Sequence, residues 1–331
     1  MKLKKLAAVI MLIPMILSGC AQDAADTPDT PDKDSEKFVI GISQMMEHPA
    51  LDASRQGFID GLKEQGVNVE FLDQNAQGDT NNALMIAQKF VRDEVDLIFA
   101  IATPPAQAAK QSISGTDIPM LFTAVADPVF SQLVPDFNVT EENITGTSNA
   151  APIKENLELF KELKEDIKNI GIIYSIGESN SEIQVIKSKE IAEEIGLNIE
   201  TVGITSVNDI PQAIDTISKK VEGLYLVTDN MVAASIPLVA TLCQEKGLLT
   251  VAADASQVQG GILLARGISY HELGKETAIM AKQILVDKKD VSEIPVRTLD
   301  KLDKKVNVKT MEALGLTRDL KVFEGAEFIE Q

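Results

Sequence analysis

Two runs of alternating strand-like and helix-like patterns fill most of this chain, and that alternation restricts the fold more than any other feature. Phe38-Val-Ile-Gly-Ile-Ser predicts a strand, and residues 49–64 a helix with Leu51, Phe58 and Leu62 on one face. Val69-Glu-Phe-Leu, Leu97-Ile-Phe-Ala-Ile-Ala and Pro119-Met-Leu-Phe-Thr-Ala-Val predict further strands, separated by helical patterns over 81–91 and from Pro104. A second series follows Ile144-Thr-Gly-Thr-Ser. It predicts strands at 169–175, 198–204, 223–228 and 248–253, and helices at 153–165, 181–195, 209–220 and 233–246. Continuously apolar strands need cover on both faces, which amphipathic helices supply when the strands are parallel. The expected fold is therefore α/β, with two doubly wound parallel-sheet lobes and a break near residue 148. Residues 38–331 are enough chain for two cores of ordinary domain size.

Helix starts are legible too. Ser179-Asn-Ser-Glu182 and Ser269-Tyr-His-Glu272 have capping-box spacing, in which a hydroxyl and a carboxylate satisfy N–H groups left over at a helix end. After the second, Leu273, Thr277, Met280 and Ile284 recur at helical spacing. Gly260 to Ser269 reads as a strand returning towards the first lobe. Residues 293–331 hold a strand-like Val306-Asn-Val, a short helix at 309–314 and an acidic tail.

Ahead of this body, Lys2, Lys4 and Lys5 precede an apolar run from Leu6 to Leu17, the layout of an export signal. The run falls short of the roughly 20 apolar residues that a bilayer span takes. It ends in Leu17-Ser18-Gly19-Cys20, which resembles the bacterial lipobox. On that likeness residues 1–19 are a lipoprotein signal peptide, and Cys20, carrying palmitate or a similar chain, becomes the mature N-terminus. Residues 21–37 hold no large apolar side chain and are rich in Asp and Pro. Such a segment cannot offset the entropy of ordering, so 20–37 is expected to be a disordered acidic linker. The expected location is the extracytoplasmic face of the cell membrane, held by the lipid.

Charge and composition narrow the partners. The formal charge is −19, and it becomes more negative once the signal lysines leave. That field repels phosphate backbones and excludes nucleic acid as a partner. With Cys20 lipidated only Cys243 remains, so an internal disulfide or a cysteine metal cluster is excluded. Cys243 lies in an apolar helical stretch and is expected to pack as a small hydrophobe. No G-x-G-x-x-G follows a strand, there is no P-loop, and His271-Glu-Leu-Gly-Lys275 lacks the second histidine of a zinc-protease helix. Two histidines and one spare cysteine leave few members for a nucleophile–base arrangement. No catalytic residue, metal or cofactor is expected.

In open α/β sheets ligands bind beyond the carboxyl ends of the strands, and polar residues gather there in both series. The first-lobe ends carry Ser43 and Gln44 with Glu47-His48-Pro49 after them, then Thr103 before Pro104 and Pro105, then Thr123 and Asp127. The second-lobe ends carry Glu178-Ser179-Asn180, Asp229-Asn230 and Asp254. Helix N-caps demand the same residue types. Both readings can hold together, since a capped helix end still offers N–H groups to an anion. Pro104 and Pro105 lack that donor, which leaves Thr103 to contribute its hydroxyl.

Several stretches carry a wider resemblance. They are Gly41-Ile-Ser-Gln with Glu47-His-Pro-Ala-Leu-Asp52, Gln74-Asn-Ala-Gln-Gly-Asp79, and Ile101-Ala-Thr-Pro with Ala106-Gln-Ala-Ala. Phe122-Thr-Ala-Val-Ala-Asp-Pro-Val129, Thr228-Asp-Asn230 and Tyr270-His-Glu-Leu-Gly274 join them. Together they resemble solute-binding lipoproteins of bacterial ABC importers, in the family that includes tryptophan- and tyrosine-binding members. The likeness covers nearly the whole body. It implies a type I periplasmic-binding-protein fold with lobes 38–147 plus 268–290 and 148–267 plus 291–331. It also implies three crossovers, near Gly146–Ser148, Gly261–Ile268 and 288–295, and hinge closure on a ligand.

The implied partners are a small amino-acid-like ligand, aromatic or branched, an ABC permease and its ATPase, with the protein itself a monomer. For an amino acid, Thr103 and Thr123 would hold the carboxylate. Asp229, with Asp254 as second choice, would hold the ammonium. Glu47 and Asn180 would line the mouth, and Ser43, Asp127, Ser148 and Asn230 complete the expected site. Phe130-Ser-Gln-Leu stands where the family often has a glycine-rich turn, and Pro105 and Pro237 depart from it as well. A surface adhesin or ligand sensor on the same fold is the alternative. A two-lobed racemase is a further one, for which matched cysteines are missing.

Overall fold

The computed structural model describes residues 36–139 and 143–330. The signal segment, Cys20 and nearly all of the linker lie outside the described residues. The first series builds β1 (Phe38–Gln44), α1 (Pro49–Glu64), β2 (Val69–Asn75), α2 (Thr80–Arg92), β3 (Leu97–Ile101), α3 (Thr103–Ile113), β4 (Met120–Val125) and β5 (Ile144–Ser148). These strands are parallel, in the order β2-β1-β3-β4-β5. β3 and β4 are buried along their whole length. Ile40, Ile42, Phe99 and Leu121 face one core, while Ile98, Met120 and Phe122 face another. Burial on both faces is why these strands read as unbroken apolar runs. Phe58 of α1 stacks on Phe99 with ring centroids 3.8 Å apart.

The second series gives α4 (Ile153–Leu163), β6 (Asn169–Ser175), α5 (Ser179–Glu194), β7 (Asn198–Ile204), α6 (Ile210–Ile217), β8 (Gly223–Leu226), α7 (Asn230–Ala233), α8 (Ile236–Glu245), β9 (Leu249–Ala252) and β10 (Leu264–Gly267). The chain then returns to the first lobe as α9 (Tyr270–Leu285) and ends on the second as β11 (Asp303–Asn307), α10 (Val308–Ala313) and β12 (Glu327–Ile329). The second sheet runs β12-β11-β10-β9-β8-β6-β7, with β11 antiparallel to β10. An antiparallel margin on an otherwise parallel sheet is common in large sheets.

Local details differ from the expected pattern for identifiable reasons. The helix expected over 233–246 is broken, because Pro237 offers no N–H to a continuous helix and the chain turns at Ser235. Ser179 is the first helical residue of α5 and Glu178 holds the cap position, while a reciprocal capping box sits at Ser206 and Asp209. At Ser269 the cap forms, its hydroxyl accepting from the Glu272 N–H at 3.3 Å. Val291 and Ile294 pack into the first lobe's core, and the Arg297 N–H donates to the Gly146 carbonyl at 3.0 Å. The third crossing therefore falls between Arg297 and Asp303, later than 288–295.

Two sets of contacts hold the first lobe together. α9 runs beside α1 so closely that a Cβ on Gly57 would meet the His271 carbonyl oxygen at 2.0 Å, and one on Gly274 the Ser54 carbonyl oxygen at 2.1 Å. Only glycine fits at either position. Near the hinge, the Thr147 hydroxyl lies 2.9 Å from that of Thr123 and 2.8 Å from that of Thr277, which donates to the Leu273 carbonyl. This buried chain of hydroxyls ties β4, β5 and α9 together where the chain leaves the first lobe.

Candidate functional site

Between the carboxyl ends of the two sheets lies a void of about 10 Å³. His48, Leu51, Ala124 and Tyr270 line it from the first lobe, and Asn149 from the hinge. Asn180, Thr228, Asp229, Asn230, Ala233, Asp254 and Gln257 line it from the second. Beside it is a compartment of about 230 Å³ walled by Pro49, Ala233, Ala234, Ile236 and Pro237, with Glu47 and Ser256 among the polar residues at its edge. The two spaces share His48, Ala233, Asp254 and Gln257, so they lie against one another.

The strand ends beside this space are strained. Ala102 has φ 85° and Ala124 φ 55°. Positive φ in a non-glycine residue costs of order 1–3 kcal/mol and persists only where the surroundings enforce it. Ala124 lines the void, and Ala102 precedes Thr103.

His48 caps α1 and is 7% exposed. Its Nε2 lies 3.3 Å from the Asn230 Oδ1, and the Asn230 side-chain amide donates to Glu178 Oε2 at 2.5 Å. Since Oδ1 can only accept, His48 Nε2 carries the proton and Nδ1 is left as an acceptor. Burial lowers the pKa of this imidazole to about 4, against the smaller opposing effects of Asn230 and Asp52, so it is neutral at pH 7. The contact also joins the lobes, as do the Lys187–Asp127 ion pair at 2.8 Å and the Gln107 amide donating to the Ser179 hydroxyl at 3.5 Å.

Three buried acids sit in the second lobe. Glu178 is pushed up to about 7, mainly by burial and then by the charge of Asp229, against the bonds from Asn180 and Asn230. Burial also raises Asp229. Burial pushes Asp254 up to about 6, with bonds from Ser256 opposing it. Asp229 accepts from the Ser175 N–H at 2.6 Å, the Ser181 hydroxyl at 2.7 Å and the Val232 N–H at 2.9 Å. Its oxygens are thus occupied by the lobe itself. Asp254 accepts only from Ser256, one oxygen from the N–H and the other from the hydroxyl, each at 2.8 Å.

Four polar atoms on this wall are buried without a hydrogen-bond partner: His48 Nδ1, Asn149 Oδ1, Asn180 Oδ1 and Gln257 Oε1. Each is an acceptor as placed. Asn180 is oriented by its amide donating to the Thr228 carbonyl at 3.0 Å, and Asn149 by donating to the Tyr270 hydroxyl at 2.6 Å. An unsatisfied buried polar group costs of order 1–3 kcal/mol, so a ligand with matching donors recovers that energy on binding.

Of the residues expected from sequence, Asn180, Asp229, Asn230 and Asp254 meet at the void and Glu47 borders the compartment. Ser43, Thr103, Thr123, Asp127 and Ser148 do not line either space. Thr123 belongs to the hydroxyl chain, Asp127 to the ion pair with Lys187, and the Ser148 hydroxyl donates to the Ala126 carbonyl at 3.3 Å. Ser43 Oγ and Thr103 Oγ1 are buried without a partner at the ends of β1 and β3. His48, Asn149, Gln257 and Tyr270 were not among the expected residues. Their signal was position alone: His48 adjoins Glu47, Asn149 follows Ser148, Gln257 follows Asp254, and Tyr270 opens a helix after a crossover.

The family model described as ABC transporter substrate binding protein matches residues 39–327. A tyrosine-binding protein of Clostridioides difficile (strain R20291) is 37% identical over 327 residues, which is 96% of this chain and 94% of that one. An ABC domain in complex with L-Trp from Streptococcus pneumonia is 31% identical, covers 87% of this chain and 99% of that one, and superposes with a TM-score of 0.82. A ligand-free, open substrate-binding protein with adhesive properties from Clostridium difficile is 40% identical over 88% of this chain and 99% of that one, with a TM-score of 0.68. Shape thus ranks these two in the reverse order of sequence. The chain superposes better on the L-Trp complex than on the ligand-free, open protein.

Proposed function

The chain belongs to the ABC transporter substrate-binding protein family, and we propose that it captures an aromatic amino acid, tryptophan or tyrosine, between its lobes and delivers it to a membrane permease driven by an ATPase. The observation that carries this reading is the group of unpartnered acceptors beside Asp254, placed where an apolar compartment adjoins them. An α-ammonium brings three donors and a positive charge to such a wall. Asp254 would take the charge, with Asn149 and Asn180 accepting beside it. The carboxylate would fall to the first turns of α1 and α9, whose leading N–H groups have no intrahelical acceptor and whose residues His48, Leu51 and Tyr270 line the void. The side chain would enter the compartment of about 230 Å³. Contacts from both lobes to one ligand favour the closed arrangement over the open one.

The experiment is calorimetry of the purified protein, unfolded and refolded to strip carried ligand, against the twenty amino acids. Binding confined to one or two aromatic members is expected. Silence across the panel from refolded protein would move the ligand outside amino acids. The membrane tether is part of the same proposal, because a lipid on Cys20 would hold the body within reach of the permease. Cys20→Ala is expected to shift the protein from the membrane to the soluble fraction; retention with the membranes would sink the lipid-anchor reading.

A further inference from the structure

We propose that Gln257 is the specificity residue of this site, and that it selects an aromatic ring bearing an N–H or O–H donor, an indole or a phenol, over a plain phenyl ring. The inference rests on the amino-acid reading above and deepens it. Gln257 is 5% exposed and stands in the short helical turn after Asp254. It borders both the void and the compartment, so it lies where the zwitterionic end of a ligand gives way to its side chain. The compartment's other walls, Pro49, Ala233, Ala234, Ile236 and Pro237, are small and apolar, which suits a flat ring.

Within that apolar setting the buried Oε1 of Gln257 has no partner. Two other buried acceptors border the compartment: Asp254, which the ammonium would take, and His48 Nδ1, which is buried without a partner on the residue that Asn230 holds through Nε2. The Ser256 hydroxyl donates to Asp254 and Glu47 is exposed, so substitution of Gln257 decides between Gln257 and His48 as the acceptor. Oε1 is already closed off from water, and a phenyl ring filling the compartment would leave it unpaired. An indole N–H or a phenol O–H would satisfy it. A buried acceptor that one ligand satisfies and its analogue cannot discriminates between them, because only the donor-bearing ligand recovers the cost of the unpaired group.

The test is calorimetry on the purified full chain with tyrosine against phenylalanine and with tryptophan against 3-benzothienylalanine, in which sulfur replaces the indole N–H at nearly constant shape. The donor-bearing member of at least one pair is expected to bind about 10- to 100-fold more tightly. In Gln257→Met, close in volume and lacking the amide, that ratio is expected to fall to near one, chiefly by weakening the donor-bearing ligand. Equal affinities within both pairs on the unaltered protein would overturn the inference without recourse to any variant. So would a Met variant that keeps the ratio, or that weakens all four ligands alike. If no aromatic amino acid binds the unaltered protein, the proposed function falls and this inference with it. The two failures are therefore distinguishable.

Discussion

Asp254→Ala is expected to weaken amino-acid binding by about 100- to 1000-fold while leaving the melting temperature almost unchanged, the loss that follows from truncating one partner of a buried charge pair. Asp254 is 2% exposed and borders both the void and the compartment. Its oxygens receive one bond each, from the N–H and the hydroxyl of Ser256, so lone pairs remain for a ligand. Burial pushes its carboxyl up to about 6, and Lys305 helps only from a distance. A bound ammonium supplies the missing opposite charge and should draw that pKa down. Binding energy from this pair is then fully present above about pH 6 and is lost as the pH falls below it, by up to tenfold in affinity per pH unit. Calorimetry between pH 8 and 5, beside a thermal melt, measures both effects. An affinity unmoved by the substitution would place the ammonium elsewhere.

Asp229→Ala should show the opposite balance, a stability loss of about 3 kcal/mol and a melting temperature lower by roughly 6–10 °C. This carboxylate is 0% exposed and joins three elements: the end of β6 through the Ser175 N–H, the first turn of α5 through Ser181, and α7 through the Val232 N–H. Alanine leaves three buried donors without acceptors. One effect runs the other way, since the charge of Asp229 adds to the burial that raises Glu178 and its removal relieves that repulsion. The desolvation of three donors is the larger effect, because each unpaired donor carries its own cost of about 1–3 kcal/mol. Thermal or denaturant unfolding followed by circular dichroism reads the result. A melting temperature equal to that of the parent would mean that water or a neighbour replaces the carboxylate. Together the two substitutions separate a wall residue that waits for a ligand from one that holds the wall up.

The layers of this fold were legible because burial on both faces of a sheet leaves long apolar runs, as in β3 and β4, with helical periodicity between them. Less legible were features decided by one residue in competition with its neighbours. Pro237 splits a helix whose apolar pattern continues through it, and nothing in the pattern of 293–331 reveals that β11 enters antiparallel. The rule that ligands lie beyond strand ends led to Asn180, Asp229, Asn230 and Asp254, because second-lobe caps follow their strands directly. Thr123 does not line the void. It shares its face of β4 with Leu121, and its hydroxyl is taken up by that of Thr147, which also meets Thr277 of α9. Glu47 and His48 are neighbours on extended backbone ahead of α1, where successive side chains point to opposite sides, and it is His48 that turns inward. Gln257 carries no sequence signal beyond following a capping aspartate.

The interleaving of the two lobes also sets an order of events. The first lobe is not a continuous piece of chain: α9, which covers α1 and the Phe58–Phe99 stack, follows the whole of the second parallel series. The Ser54 hydroxyl donates to a carbonyl 216 residues further on, that of Tyr270. Contacts of such separation carry a large loop-closure entropy and form late. A growing chain that has reached Gly267 therefore has a second lobe most of the way assembled and a first lobe with one face of its sheet covered by α1 alone. Until α9 arrives, the part of that core which Leu273, Met280 and Ile284 close presents an apolar surface of the kind that chaperones bind and that aggregates grow from.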